Sequence, residues 1–301
     1  MVLDSRGRSA INCKMQKVFE LSNLRCSYDK KYQEGHSRVV LEIEHLVIPR
    51  GKKIFIVGES GIGKSTILET LGMMNNTIVP ESRTRFVFYD EEGHETDLNA
   101  LWKKGDQVLS YFRLKNYSFI FQSTNLMKNF TAFENIAFTR MLQGFSRFSS
   151  FQRTKQTLID LGLDHVEQDR MAQELSGGQQ QRLAFARAIL PDFTVLFGDE
   201  PTGNLDAENA IRVMEILNRK LDEHEGASAI IVSHDMHLAV TFADVIIKIR
   251  KCIRPKQNED DEDISYGQID ELCVYIFSKG EWTNGKEHYS AIDFENFLRM
   301  K

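Results

Sequence analysis

A glycine-rich loop early in the chain carries the residue types that bind phosphate groups. Residues 58–66 read Gly-Glu-Ser-Gly-Ile-Gly-Lys-Ser-Thr, match the pattern G-x-x-x-x-G-K-[ST] and directly follow the apolar run 54–57. Strand, glycine loop and helix in that order bring backbone N–H groups and a helix N-terminus together around an anion. Lys64 is predicted to neutralise the β- and γ-phosphates of a nucleotide, and the Ser65 hydroxyl to ligate Mg²⁺. The predicted nucleotide-binding residues are Gly58, Glu59, Ser60, Gly61, Ile62, Gly63, Lys64, Ser65 and Thr66.

Two adjacent carboxylates follow a second apolar run and could take part in hydrolysis. Residues 194–197 are β-prone, and Asp199 and Glu200 follow them after one glycine. Ligands of parallel α/β sheets bind at the carboxyl ends of strands, so we expect both side chains at a ligand-binding edge. There Asp199 can hold Mg²⁺, and Glu200 can act as a general base on an attacking water. Taken alone, the pair would favour an acidic turn capped by Pro201.

A third motif lies between these two. Residues 175–182 read Leu-Ser-Gly-Gly-Gln-Gln-Gln-Arg and lead into the helix-favouring run 183–188. A serine hydroxyl, glycine N–H groups and a helix N-terminus form a second anion site in the same chain. Together with the first loop, this motif resembles the LSGGQ signature of the ATP-binding cassette (ABC) ATPases. The resemblance covers roughly residues 18–250 in the family's order and spacing, and it implies ATP hydrolysis with Mg²⁺.

The resemblance assigns roles to further residues. Gln122 corresponds to the family's glutamine that contacts Mg²⁺ and the attacking water and senses the transport partner. His234 matches the histidine that contacts the γ-phosphate, and Asp206 looks like part of the loop that crosses the dimer interface. Tyr28 is the expected aromatic residue to stack on adenine, with Tyr32 as a nearby alternative. The implied sites are catalytic Glu200, His234 and Gln122, metal-binding Ser65, Gln122 and Asp199, and additional ATP-binding Tyr28, Ser176, Gly178 and Asp206.

The elements that must position these residues predict an α/β fold. The resemblance implies a P-loop NTPase of ABC type, with a RecA-like core, an N-terminal antiparallel β subdomain and a helical signature lobe. Apolar positions in 18–49 favour antiparallel strands, and helical spacing over 131–190 favours the lobe. The charged segment 80–105 contains a hairpin candidate at 90–93 and is expected to be a surface insertion. The expected division is an ATPase domain at 18–250, an acidic linker at 251–263 and a small packed extension at 264–301.

The composition favours a soluble globular enzyme. The chain has 301 residues, a net charge of −5 and four cysteines that lie far apart. The negative charge argues against a sequence-independent grip on nucleic acid, and the cysteine spacing suggests neither a metal cluster nor a disulfide framework. No segment approaches the about 20 apolar residues that span a bilayer, and the first residues lack the apolar core of a secretory signal. We therefore expect a cytoplasmic protein, with any transport pathway in another chain.

Residues 132–136 and 199–206 look like the family branch of lipoprotein-release, macrolide-export and cell-division ATPases. This branch implies a second copy of the chain with ATP between the two copies. It also implies a polytopic permease that docks near Gln122 and the helical lobe, on the inner face of the cell membrane. The motifs do not specify the cargo, and no nucleic acid is expected.

The rival interpretations are soluble ABC-type proteins. A structural-maintenance ATPase of DNA would insert a long coiled coil between the first loop and the signature, and the interval from Lys64 to Ser176 is too short for one. A translation-associated ATPase would carry two cassettes, whereas this chain carries one set of motifs. Glu200 and His234 argue against a regulator that binds nucleotide without turnover.

Overall fold

Two β-sheets organise the protein in a computed structural model that describes residues 16–29, 38–163, 169–203, 205–223, 226–254 and 264–300. Among these residues, the first sheet contains, in spatial order, β10 (Arg250–Arg254), β11 (Ile264–Ile269), β2 (Val39–Pro49), β1 (Lys17–Ser27), β4 (Arg85–Tyr89) and β5 (Glu95–Asp97). The second contains β14 (His288–Tyr289), β13 (Glu281–Thr283), β12 (Val274–Ser278), β9 (Val245–Lys248), β3 (Lys53–Val57), β8 (Ser228–Val232), β7 (Val195–Asp199) and β6 (Tyr117–Ile120).

The first sheet begins with the long antiparallel pair β1 and β2. Apolar residues recur at near-alternate positions in both strands, and Leu21 pairs with Leu46 and Leu24 with Ile43 across the ladder. All four side chains are buried, as the two-residue period of a half-buried strand requires. The antiparallel strands predicted for residues 18–49 are confirmed.

The second sheet holds the strands that lead into the predicted motifs. Strands β3, β6, β7, β8 and β9 run parallel to one another, and β3 and β8 are buried almost throughout. Parallel strands of this kind are covered by helices on both faces. Their carboxyl ends therefore meet at one edge, where Asp199 pairs with Val232. The motifs that follow β3, β6, β7 and β8 are gathered there.

Helices cover this sheet and build a lobe beside it. In the described residues they are α1 (Lys64–Leu71), α2 (Leu98–Trp102), α3 (Asp106–Asn116), α4 (Ala132–Leu142), α5 (Arg147–Asp160), α6 (Gly177–Ile189), α7 (Ala207–Glu223), α8 (Met236–Phe242) and α9 (Ala291–Arg299). The predicted lobe is confirmed, because α4, α5 and α6 pack against one another. Across the part of the chain that is described, every helix is too short or too polar to cross a membrane.

The expectation that residues 80–105 form a surface insertion is wrong for strand β4. This strand pairs with β1, and Phe86 and Phe88 are buried in the first sheet's core, where Phe88 packs edge-on against Tyr117. Burial of the aromatic rings outweighs the polarity of the flanking turns. The hairpin at 90–93 is confirmed by the pairing of β4 with β5.

Residues 264–300 are divided between the two sheets. Strand β11 adds to the first sheet parallel to β2, whereas β12 pairs antiparallel with β9 and extends the second sheet. We call residues 270–300, which contain β12 to β14 and α9, the C-terminal module. Of the predicted linker, residues 251–254 belong to β10, and residues 255–263 lie outside the described residues. The division of the chain into domains stays a prediction.

Candidate active site

The glycine-rich loop joins the carboxyl end of β3 to α1 and encloses the Lys64 side chain. Gly61 and Gly63 have φ values of 76° and 102°, which residues with a Cβ rarely adopt. Lys64 Nζ donates hydrogen bonds to Gly58 O at 2.9 Å and to Glu59 O at 2.7 Å. Burial lowers the pKa of the Lys64 ammonium group. The loop thus encloses the positively charged Lys64 ammonium group. The first N–H groups of α1 also have no side-chain cap, and both features favour the binding of an anion.

Strands β10 and β11 contact this loop from the side of the first sheet. Ser60 of the loop is exposed, whereas Ile62 is buried, and a Cβ on Gly267 of β11 would lie only 2.2 Å from Ile62 O. Glycine at position 267 is therefore needed for β11 to approach the loop so closely. Glu59 forms an ion pair with Lys251 of β10, with Oε2 and Nζ 2.9 Å apart. Sequence analysis missed both contacts, because residues so distant in sequence give no local signal.

Ser65 and Asp199 face each other beside the loop. Ser65 Oγ lies 3.5 Å from Asp199 Oδ2. Burial raises the pKa of the Asp199 carboxyl, and the negative charges of Glu200 and Glu69 raise it further. A divalent cation would offset this concentration of negative charge, and carboxylate and hydroxyl oxygens are ligands that Mg²⁺ accepts. These residues therefore fit the predicted metal site.

Glu200 lies where the loops that follow β6, β7 and β8 converge. Its φ of 48° is unusual for a residue with a side chain, and its N–H donates to Val232 O at 3.0 Å, which holds the strained turn in place. One carboxylate oxygen lies 3.0 Å from His234 Nε2, and the other accepts a hydrogen bond from Gln122 Nε2 at 3.4 Å. The fold thus brings together the three residues predicted to be catalytic.

Tyr28 lies on the other side of α1. Its ring is half exposed, and its hydroxyl lies 3.1 Å from Thr66 Oγ1, a residue of the helix that follows the loop. It lines a cavity of about 590 Å³ together with Asn76 and Ile78. An exposed aromatic face beside a cavity of this size suits a planar base. Tyr32, the alternative, lies outside the described residues.

The signature motif forms an exposed helix N-terminus. Ser176 caps α6: its Oγ accepts from Gln179 N at 3.3 Å, and its N–H donates to Gln179 Oε1 at 2.9 Å. A Cβ on Gly177 or Gly178 would meet no atom of the described residues within 4 Å. Packing in this part of the chain therefore does not require glycine in the first turn, where glycine is unfavourable to the helix. The open space leaves these N–H groups accessible to an approaching molecule.

Asp206 caps α7 and is tied to the signature helix through a neighbour. Its carboxylate accepts from Asn209 N at 2.9 Å and from Asn209 Nδ2 at 2.7 Å, and these bonds lower the pKa of Asp206. Arg182 of α6 donates from Nη1 to Asn209 Oδ1 at 3.1 Å, and buried Gln181 donates to Pro201 O at 3.2 Å. No contact was predicted for Gln181 or Arg182. Their polar side chains at the start of a predicted helix were the only local signal that the sequence offered.

Two groups of predicted residues emerge. The loop, Asp199, Glu200, Gln122 and His234 form one centre at the sheet edge, and Tyr28 lies close to it through Thr66. Within the described ranges, no hydrogen bond joins Ser176, Gly178 or Asp206 to the glycine-rich loop. The second group is thus separate from the first in the described part of the chain, and its role in binding an anion stays a prediction.

Comparison with known proteins identifies a family that shares these motifs. The family model described as ABC transporter matches residues 41–203, a stretch that contains the glycine-rich loop, the signature and both carboxylates. Two relatives align with the chain over more residues than this stretch contains.

The lipoprotein-releasing system ATP-binding protein LolD of Idiomarina loihiensis is 37% identical over 218 residues, which cover 72% of this chain and 90% of that protein. The macrolide export ATP-binding/permease protein MacB of Aggregatibacter actinomycetemcomitans is 39% identical over 223 residues, which cover 74% of this chain but 32% of that protein. This chain thus spans about a third of the length of the MacB relative.

A solved structure supports the same relationship. The dimeric ATP-binding cassette MJ0796, in a post-hydrolysis state bound to ADP and Pi, superposes with a TM-score of 0.64 at 28% identity. The superposition covers 76% of this chain and 93% of that one. Roughly a quarter of this chain lies outside each of the three alignments.

Proposed function

The chain belongs to the ABC transporter family as an ATP-binding and ATP-hydrolysing subunit, and from this premise we propose that it powers a separate membrane permease through ATP-driven pairing of two copies. The observation that carries the proposal is the convergence of Gln122 and His234 on the two oxygens of Glu200, beside Lys64, Ser65 and Asp199. A nucleotide-binding regulator that never turns over would not require this arrangement.

In the proposed mechanism, Glu200 removes a proton from the attacking water at its carboxylate oxygen. Its backbone turn and its contacts with His234 and Gln122 orient that oxygen before substrate binds, which lowers the cost of reaching the transition state. Lys64 and the loop N–H groups bind the β- and γ-phosphates. Ser65, Asp199 and Gln122 would hold Mg²⁺, which would supply positive charge beside the phosphate oxygens. Tyr28 stacks on adenine.

The second anion site requires a second copy of the chain. Ser176 and Gly178 are proposed to contact the γ-phosphate of the ATP that the partner's loop holds, and Asp206 to lie at the boundary between the copies. The accessible first turn of α6 supports this arrangement, since its two glycines leave room for a close approach. The relative MJ0796 has been solved as a dimer.

A permease is proposed to dock at the junction of the Gln122 loop and the helical lobe. Buried Asn135 holds this loop: its side chain accepts from Met127 N at 2.9 Å and donates to Met127 O at 3.0 Å. Phe130 packs edge-on against Phe138, and the neighbouring α4 residue Leu142 is exposed. Leu126 of the same loop is partly buried and packs against the core, so it is not available to a partner in the way that an exposed residue is. The protein would then be cytoplasmic and peripheral on the inner face of the membrane.

Replacing Glu200 by Gln tests the catalytic proposal. The amide preserves the shape of the side chain but cannot accept the proton, so we expect turnover to fall by about 10²-fold or more while ATP binding survives. Steady-state phosphate release and equilibrium nucleotide binding measure the two effects. Glu215→Gln on the exposed face of α7 is the matched control and should hydrolyse ATP like the wild type. Equal turnover of the Glu200→Gln and wild-type proteins would refute the general-base role.

The proposed permease partner is tested with the same Glu200→Gln variant, which is expected to bind ATP but not to hydrolyse it. Affinity purification of tagged Glu200→Gln protein from detergent-solubilised membranes should recover a polytopic protein. Phe130→Asp should release it without unfolding the chain, whereas Glu215→Gln in the same background should not. Recovery of DNA or ribosomes would favour the soluble alternatives, and recovery of no partner by a folded, ATP-bound protein would contradict the docking proposal.

A further inference from the structure

Helix α8 begins two residues after His234 and is too short to be stable on its own. Asp235 follows His234 and caps α8 by accepting a hydrogen bond from Leu238 N at 3.0 Å. An isolated helix of two turns is unstable in water, so its position depends on the elements that pack against it. Among the described elements, α9 of the C-terminal module and β3 of the core sheet make the main contacts with α8. The backbone that follows His234 therefore depends on α9.

A polar contact, which is an ion pair when His237 is protonated, joins the two helices near the start of α8. His237 Nδ1 lies 3.2 Å from Glu295 Oε2 of α9, and the other oxygen of Glu295 lies 2.7 Å from Arg299 Nη2 of the same helix. These two partners lower the pKa of the Glu295 carboxyl, Arg299 contributing more. Only one of the two bonds leaves α9. The Glu295–His237 bond is thus the polar link between the module and α8.

Helix α9 is anchored firmly enough to act as a support. Lys248 of β9 donates from Nζ to Phe297 O at 2.9 Å, near the helix C-terminus, where a cation is favourable. Phe294 stacks on buried Trp282 at 5.0 Å between ring centroids, and the strand pairing of β12 with β9 ties the module to the core sheet. Helix α8 therefore packs against α9, and α9 is fixed to the sheet whose edge carries the active site.

We propose that α9 positions His234 against Glu200 through α8, with Glu295 as a positioning residue. This inference rests on the proposed hydrolysis of ATP and assigns a role in it to the C-terminal module. It follows from adjacency in the chain: α8 starts two residues after His234, whose Nε2 lies 3.0 Å from Glu200 Oε1. A shift of α8 would move the backbone that places this imidazole. The module would thereby set the rate of turnover without touching nucleotide.

The first test is Glu295→Gln, which removes the charge and keeps the shape. We expect kcat to fall about two- to fivefold with KM for ATP unchanged, the range that the loss of one exposed ion pair supports. In the His234→Ala background the same change should cause no further loss, because it acts through His234. Arg299→Gln is the matched control: it removes the other partner of Glu295, leaves the link to α8 intact and should retain wild-type kcat. An equal fall in both backgrounds would overturn the proposal.

Hydrogen exchange gives a readout that does not need turnover. In Glu295→Gln and in Lys248→Met, which frees the end of α9, amides of residues 236–242 should exchange faster than in the wild type, while those of β8 should not change. Unchanged exchange in α8 for both variants would refute the positioning role. If wild-type protein failed to hydrolyse ATP, the proposed function would fall while the exchange result still tested the contact. If hydrolysis stood and both variants behaved like wild type, only this inference would fall.

Discussion

At the residue scale, charged side chains are held in place before any ligand arrives. Lys64 is 6% exposed and bonded to two carbonyl oxygens of its own loop, and Glu200 is aimed by a left-handed turn. Desolvation raises the free energy of the Lys64 ammonium group, and the negative charge of a bound phosphate would offset this cost, whereas the Glu200 position is strained in its backbone. The strained and desolvated positions therefore coincide with residues that are proposed to act on ATP.

Lys64→Ala is predicted to weaken nucleotide binding itself. Loss of a charge-assisted contact with the β- and γ-phosphates removes about 1.5–3 kcal/mol, which raises the dissociation constant of ATP by roughly ten- to a hundredfold. Isothermal titration calorimetry measures the change. Lys155→Ala, on the exposed face of α5, serves as the control and should bind like the wild type. Unchanged affinity of Lys64→Ala would count against Lys64 as a phosphate ligand.

Local motifs made the central residues predictable, and tertiary contacts account for those that were missed. The loop, the signature and the pair Asp199–Glu200 carry their chemistry in adjacent residues, so one sequence suffices to find them. Gln181 and Lys251 act only on residues that folding brings near, Pro201 and Glu59. No spacing rule connects such pairs. The assigned roles of the site residues stay predictions until variants are measured.

At the scale of elements, polar networks as well as apolar cores join the strands. On β1, Glu20 accepts from Tyr89 Oη of β4 at 2.6 Å and from Lys17 Nζ at 2.7 Å, and Arg85 lies 3.3 Å away. Hydrogen bonds from Lys17 and Tyr89 lower the pKa of Glu20 from 4.5 to about 2. The carboxylate thus links β1 to the strand that was expected to belong to a surface insertion.

Glu20→Gln is predicted to destabilise the protein in a pH-dependent way. Because the folded pKa lies below the unfolded one, ionised Glu20 contributes stability above about pH 4.5 that is lost as the pH falls towards 2. The variant should therefore have a lower free energy of unfolding at pH 7, and the difference should shrink below pH 4.5. Urea denaturation over this range measures it. Glu215→Gln should show no such trend, and a pH-independent difference for Glu20→Gln would contradict the assignment.

Elements with a clear period were predictable, whereas short strands flanked by polar turns were not. The alternation in β1 and β2 and the helical spacing of the lobe extend over many residues, so their patterns stand out. Strand β4 has five residues between charged turns. Its place in the sheet depends on aromatic partners such as Tyr117 that lie elsewhere in the chain.

At the scale of the whole molecule, the two predicted anion sites lie on separate surfaces of one chain. Under the proposed function, a complete site combines the glycine-rich loop of one copy with the signature of another. Helix α6 connects them internally, through Gln181 to the turn after Glu200 and through Arg182 to the cap of α7. Pairing of the copies can thereby be coupled to the carboxylate edge.

Mixing two inactive variants is predicted to restore hydrolysis. Lys64→Ala destroys the loop and Ser176→Arg the signature, so a mixed dimer contains one site with both surfaces intact. Phosphate release should rise when the two preparations are combined and peak near an equal ratio. Each variant alone, at the same total protein concentration as the mixture, is the control and should stay inactive. Absence of recovery at every ratio, with both proteins folded, would be evidence against a shared site.

The return of the chain to the first sheet sets an order for folding during synthesis. Strand β2 pairs with β1 on one side, but its other neighbour, β11, is made more than two hundred residues later. Until then a nascent chain displays an open strand edge, which is prone to wrong pairing, and closure of such a distant contact is slow. The glycine-rich loop meanwhile lacks the support of Gly267 and Lys251. The nucleotide site therefore reaches its final packing only after β10 and β11 have been synthesised.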